Sequence, residues 1–154
     1  MGLPLQKRLL STRFESAHQE ALLNVMVAGS HLRGLHDAVF EGAGVTAPQY
    51  NVLRILDGAY PEGYSRGEIA LRMIERAPDM TRFIDRLVRS GLVQRTRSAA
   101  DGRHSIARIT PKGRALLAAI RPRVRAVAKA MAKRLSDKEA RELSRLLEKL
   151  YAGE

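Results

Sequence analysis

The chain has 154 residues, 45% of them hydrophobic, no cysteine and a formal net charge of +11. This length and apolar content suit one domain, or one domain with helical extensions, and exclude a disordered chain. The lack of cysteine excludes disulfides, thiolate metal sites and thiol redox sensing. No apolar run is long enough to span a bilayer, and the opening MGLPLQKRLLSTRFESAHQ lacks the apolar core and cleavage site of a signal peptide, so a cytoplasmic protein without a membrane partner is expected. The charge is uneven: residues 1–64 carry a net −1, residues 65–110 a net +5 and residues 111–154 a net +7. Such a distribution favours a polyanionic partner, with nucleic acid ahead of an anionic membrane surface.

From Leu10 to Val39, apolar residues recur at steps of three or four (Leu10, Phe14, Ala17, Ala21, Val25, Ala28, Leu32, Leu35, Val39), which predicts one long helix with a single apolar seam. A seam of that length predicts packing against a partner helix or a second subunit. The run EGAG at 41–44 ends it. Thr46 as N-cap and Pro48 in the first turn start a short helix with Tyr50, Val52, Leu53, Ile55 and Leu56 on its apolar faces. DGAYPEGY at 57–64 is a loop. Ser65-Arg66-Gly67-Glu68 is a capping box opening a two-turn helix with Ile69, Ala70 and Met73 inward, Ala70 being small where the next helix would cross. After a tight connection at 75–77, Pro78 suits the first turn of a further helix that ends at Gly91.

Residues 92–98 and 104–110 read as two strands around the turn signal Asp101-Gly102. Thr110-Pro111 opens a helix with Leu117, Ile120, Val124, Val127, Met131 and Leu135 on one side, kinked near Arg121 by Pro122. A second capping box, Ser136 to Glu139, opens a last helix with Ala140, Leu143, Leu146, Leu147 and Leu150 inward.

Residues 48–110 thus run helix, helix, turn, helix, strand, tip, strand, which is the order of a winged helix-turn-helix. The helix from Pro78 sorts by face. Met80, Phe83, Ile84, Leu87 and Val88 form an inward stripe, while Pro78, Thr81, Arg82, Asp85, Arg86 and Arg89 lie outward. A DNA-reading helix needs short polar groups near its N-terminus for base edges, and arginines for guanine or phosphate. The competing reading is an amphipathic helix in which Arg82 pairs with Asp79 or Asp85 and Arg89 with Asp85.

The run from Ser65 to Gly113 resembles the core of the MarR-type (multiple antibiotic resistance regulator) transcription factors. The matching features are Thr81-Arg82, Asp85-Arg86-Leu87 followed by Gly91-Leu92-Val93, Asp101-Gly102-Arg103 and the Thr110 to Gly113 opening. The resemblance implies a mainly α fold with a small two- to three-stranded wing and helical dimerisation extensions. It implies one MarR-like domain over residues 1–154, with a DNA-binding lobe at 48–110 and a dimerisation region formed by 1–41 and 111–152. It also implies a homodimer on a roughly palindromic double-stranded DNA operator, with the recognition helix in the major groove and Arg103 in or near the minor groove. Asp101 would restrain the wing by pairing with a nearby arginine. The DNA-contacting set expected is Ser65, Arg66, Pro78, Asp79, Thr81, Arg82, Arg86, Arg89, Arg97, Asp101 and Arg103. Many relatives carry arginine where this chain has Gly102, which would remove one possible wing contact and should loosen the tip.

Family members often bind small aromatic or anionic effectors. Here such a crevice would draw on the first helix, Tyr50 and the loop around Tyr60 and Tyr64. The like-charge ladder Arg121, Arg125, Lys129 and Lys133 would be relieved by Glu15, Glu20 or Asp37, or by water. His18, His31, His36 and His104 have no metal-ligand spacing, and no phosphate loop, nucleophile elbow or zinc signature occurs. The expectation is therefore no enzyme, no cofactor and no metal. The function expected is a repressor-type transcriptional regulator; the alternative is a sequence-nonspecific architectural DNA binder driven by charge.

Overall fold

The computed structural model describes residues 3–10, 13–75, 79–97 and 105–152, and of Leu3 and Arg97 only the backbone. The elements in order are α1 (Leu3–Leu9), α2 (Ala17–Ala38), α3 (Ala47–Gly58), β1 (Tyr64–Ser65), α4 (Arg66–Arg72), α5 (Met80–Arg89), β2 (Val93–Arg97), β3 (Ser105–Ile109), α6 (Pro111–Ala132) and α7 (Asp137–Tyr151). The chain divides into two compact units, Met1–Ala38 and Val39–Glu154.

The long helix expected from Leu10 to Val39 starts later, as α2 at Ala17, and a separate short helix, α1, ends before it at Leu9. Leu10 takes φ 52°, a left-handed backbone that no continuous helix accepts. α2 starts only after Ser16, whose hydroxyl accepts from the Gln19 amide at 3.1 Å, while the Gln19 side chain accepts from the Glu15 amide at 2.7 Å. The local cap thus decides the boundary over the apolar periodicity. No residue of α2 is buried, and Leu22, Val25, Met26, Leu32 and Leu35 are exposed.

In the second unit the four expected caps form as the sequence reads. Thr46, Ser65 and Thr110 each accept from the amide three residues on, and the first two close full capping boxes with Gln49 and Glu68. A third box, Ser136 with Glu139, opens α7. Each such cap contributes about 1 kcal/mol. α6 runs continuously through Pro122.

The core gathers Val52, Leu53 and Leu56 of α3, Ile69 of α4, Ile84 and Leu87 of α5, Val93 and Ile109 of the strands, and Leu117 and Ile120 of α6. Full burial of each such side chain contributes about 1.5–3 kcal/mol. One inward assignment fails in α4. Ile69 is fully buried and Met73 packs on the core, but Ala70 is exposed, so the α4–α5 crossing is not built on it. In α7 the expected inward leucines are not buried in this chain: Leu143, Leu146 and Leu150 are exposed and Leu147 is half-buried.

The sheet has three antiparallel strands in the order β1-β3-β2, with Tyr64 opposite Ala107 and Val93 opposite Ile109. The short β1 begins at Tyr64, the last residue of the span expected to be loop, and runs into the expected cap Ser65. Its second residue, Ser65, is also the N-cap of α4, so strand pairing and helix start fix each other's position.

Candidate nucleic-acid interface

α5 begins at Met80, two residues beyond Pro78, which lies outside the described residues. Its N-cap is Asp79, whose carboxylate accepts from the Arg82 amide at 3.0 Å. The helix buries Met80, Ile84 and Leu87 and half-buries Phe83 and Val88. Arg82, Arg86 and Arg89 are exposed on the other side, with Thr81 and Asp85 half-buried at its margin. The helix stops at Gly91, which takes φ 71°. The Gly91 amide bonds Val88 O, and the Leu92 amide reaches back to Leu87 O at 2.9 Å. Glycine suits this left-handed stop because it has no side chain to clash.

The pairing expected inside α5 is only partly formed. Arg82 Nε lies 3.7 Å from Asp79 Oδ2, a loose contact at the surface. Asp85 does not take Arg82 or Arg89 as its ion-pair partner. It binds Arg95 of β2, Nη1 to Oδ1 at 2.5 Å, and Arg89 Nε instead donates to the Asp85 backbone carbonyl at 3.4 Å. The physical reason is direction. Asp85 sits at the edge of the helix facing β2, and on that strand Arg95 shares a face with Val93, which packs inward.

Ser65 and Arg66 open α4 beside this surface. The Glu68 carboxylate accepts from the Ser65 amide at 2.9 Å and its hydroxyl at 2.7 Å. These bonds, the backbone one first, hold the Glu68 carboxyl below the usual carboxylate range. Arg66 Nη1 donates to Thr81 Oγ1 at 3.0 Å, linking the starts of α4 and α5. Together Ser65, Arg66, Gly67, Thr81, Ile84, Arg95, Ser105 and Ala107 line a cleft of about 530 Å³ between α4, α5 and the hairpin.

The structure therefore brings Ser65, Arg66, Thr81 and the edge of α5 to one surface, with Asp79, Arg82, Arg86 and Arg89 along the same helix. Pro78, Asp101, Gly102 and Arg103 lie outside the described residues, as does the side chain of Arg97. Sequence reasoning missed Arg95. Its only signal was alternation with Val93 in β2, which places it on the face toward α5.

The base of the hairpin is tied to both neighbouring helices. Thr110 Oγ1 donates to Gly91 O at 2.8 Å and accepts from the Gly113 amide at 3.1 Å, and Lys112 Nζ donates to Ser90 O at 2.9 Å. A Cβ at Gly113 would collide with the Leu92 carbonyl oxygen. Elsewhere, Asp57 accepts from Arg114 at 2.9 Å and Arg121 at 3.4 Å, so the α6 ladder is relieved at one end by α3. The tyrosines expected in an effector crevice are separately engaged. Tyr50 is buried with its ring 5.1 Å from Phe40, Tyr60 lies under Arg114, and Tyr64 lies under Arg72. Among the described residues, no group of three or more histidine or acidic side chains could hold a metal ion, and no helix is long and apolar enough to cross a membrane.

A short helix, a second helix after it with a polar and basic outer face, and then two antiparallel strands define a winged helix-turn-helix DNA-binding protein. Comparison with known proteins agrees. The MarR family profile matches residues 45–105. An HTH-type transcriptional repressor of Mycobacterium tuberculosis is 33% identical over 122 residues, covering 79% of this chain and 86% of the relative. The crystal structure of a MarR transcription factor from Planctomyces limnophilus is 37% identical, covers 88% of this chain and 98% of its own, and superposes with a TM-score of 0.68. That of a Mycobacterium tuberculosis MarR family protein in complex with salicylic acid is 31% identical, covers 83% and 93%, and gives 0.61. The chain belongs to the MarR family, whose members are transcriptional regulators rather than enzymes.

Proposed function

We propose that the protein is a homodimeric transcriptional repressor that binds a roughly palindromic operator and is released by a small aromatic or anionic effector. The observation that carries this reading is the division of α5, with Met80, Ile84 and Leu87 buried and Thr81, Arg82, Arg86 and Arg89 presented outward. In the proposed complex α5 lies in the major groove, where Thr81 and Arg82 meet base edges and Arg86 and Arg89 meet phosphate. Ser65, Arg66, Pro78 and Asp79 flank that contact. Arg97, Asp101 and Arg103 extend it along the wing, with Arg103 toward the minor groove.

Residues 48–110 form the DNA-binding lobe in this reading, and 1–41 with 111–152 form the dimerisation region. The exposed apolar residues of α2 and α7 support a second copy as their cover, because leucines left this open in a single chain are unfavourable in water. Effector release is supported by the relative crystallised with salicylic acid. A regulator of this kind works in the cytoplasm.

The net charge of +11 also favours a second reading, an architectural DNA binder without sequence preference. One experiment separates them. The purified protein selects fragments from genomic DNA, and the enriched duplex and a random duplex are then titrated across salt concentrations. A specific site binds tighter than random by roughly 10³-fold or more at physiological salt. Equal affinity for both duplexes at every salt concentration would overturn the operator reading.

A further inference from the structure

Resting on the operator reading above, we infer that Arg66 is a specificity-determining residue that acts through Thr81, fixing its hydroxyl as a donor so that the half-site position it meets favours guanine or thymine and rejects cytosine. The geometry is the Arg66 Nη1 to Thr81 Oγ1 bond of 3.0 Å between residues fifteen apart in sequence. A guanidinium has five donors and no acceptor, so the threonine oxygen must accept in this bond. One lone pair is thereby spent and the hydroxyl proton is left to point elsewhere. A charged donor on the oxygen also polarises the O–H bond and strengthens it as a donor.

Both residues line the open cleft between α4, α5 and the hairpin, so the hydroxyl is reachable from outside. Thr81 is the second residue of α5, and the N-terminal residues of a recognition helix are those that meet base edges. In the major groove guanine presents N7 and O6, and thymine presents O4, all acceptors. Cytosine presents only its N4 amino donors, and adenine presents one group of each kind. A donor hydroxyl beside a fixed positive charge favours the acceptor edges. Toward the cytosine amino group only its second lone pair could accept, and there the adjacent guanidinium adds like-sign repulsion that disfavours the approach.

Arg66 is exposed, so its replacement leaves the core intact. The test is a base-preference matrix for the full-length protein, obtained from duplexes randomised at each operator position. It is measured for the parent, Arg66→Met, Arg66→Lys, Thr81→Val and the double variant Arg66→Met with Thr81→Val. The parent is expected to disfavour cytosine by roughly three- to tenfold at one position per half-site. Arg66→Met and Thr81→Val should each flatten that same position and leave the others unchanged. The double variant should flatten it no further, and Arg66→Lys, still a cationic donor, should restore part of the preference.

The inference is overturned if Arg66→Met weakens binding equally for all four bases, as a phosphate anchor would, or flattens a different position from Thr81→Val. A parent matrix that favours cytosine at the Thr81 position also overturns it. A parent matrix flat at every position instead marks the failure of the operator reading on which the inference rests.

Discussion

Asp85→Asn should have two effects of opposite sign. Asp85 is the one carboxylate within the α5 helix, and its oxygen meets Arg95 Nη1 at 2.5 Å with both side chains about two-fifths exposed. Solvent screening at that exposure limits the pair to roughly 0.2–1 kcal/mol. The amide should therefore lower the melting temperature by no more than about 4 °C in a chain of this size. The same change frees the Arg95 guanidinium beside the face of α5 proposed to meet DNA. One added phosphate contact steepens the dependence of log affinity on log salt by about 0.9 per protomer, or about 1.8 for a dimer. The assay is fluorescence anisotropy on a random duplex across salt, beside thermal melts. The Arg95→Met background serves as control, because there the amide can free no cation. A slope unchanged from the parent, or one that steepens equally in the Arg95→Met background, would refute this reasoning.

Leu146→Glu places a charge in the exposed apolar stripe of α7 and should shift the proposed dimer to monomer in sedimentation equilibrium; a variant that stays dimeric removes α7 from the proposed interface. Gly113→Ala sets a methyl group against the Leu92 carbonyl and should cost about 1–3 kcal/mol in urea unfolding, so an unchanged midpoint would contradict the close approach. Glu68 has a folded-state pKa below its ordinary value, so its share of the α4 cap is complete above the ordinary carboxylate range and is lost as pH falls through the lowered value. Amide exchange at Ser65 should accelerate over that acidic window, and Glu68→Gln should abolish the pH dependence; identical profiles for the two proteins would count against the cap. Arg86→Ala should reduce the salt slope on operator DNA by about 0.9 per protomer, whereas a slope equal to the parent's would place Arg86 away from phosphate.

Features written within four residues of each other were legible in the sequence. The caps at Thr46, Ser65, Thr110 and Ser136 and the stop at Gly91 each need only a hydroxyl, a partner three residues on or a glycine. The start of α2 was equally local, since Ser16 and Gln19 have capping spacing, but the apolar periodicity on both sides concealed it. Asp85 was read against its helical neighbours because sequence spacing shows those directly. Its real partner, Arg95, depends on how β2 lies against α5. The Arg66–Thr81 bond likewise exists only once α4 and α5 are placed. Ala70 was misplaced because a two-turn helix leaves the edge of its inward face ambiguous by one residue: Ile69 and Met73, read inward with it, do pack on the core, whereas Ala70 is exposed. The apolar stripe of α7 was visible in sequence, whereas its exposure was not: among the described residues nothing buries Leu143, Leu146 or Leu150.

The joint around Leu92, Thr110 and Gly113 has a mechanical consequence. Because the end of α5, the base of the hairpin and the first turn of α6 are bonded to one another there, α5 follows any rotation of α6 as a pointer follows its shaft. The 22 residues of α6 make a lever of about 33 Å. Tilting it by roughly 5° about its C-terminal end would carry the joint, and α5 with it, by about 3 Å, close to one base-pair step of the duplex. In the proposed dimer, a tilt of that size would put the two half-site contacts out of register.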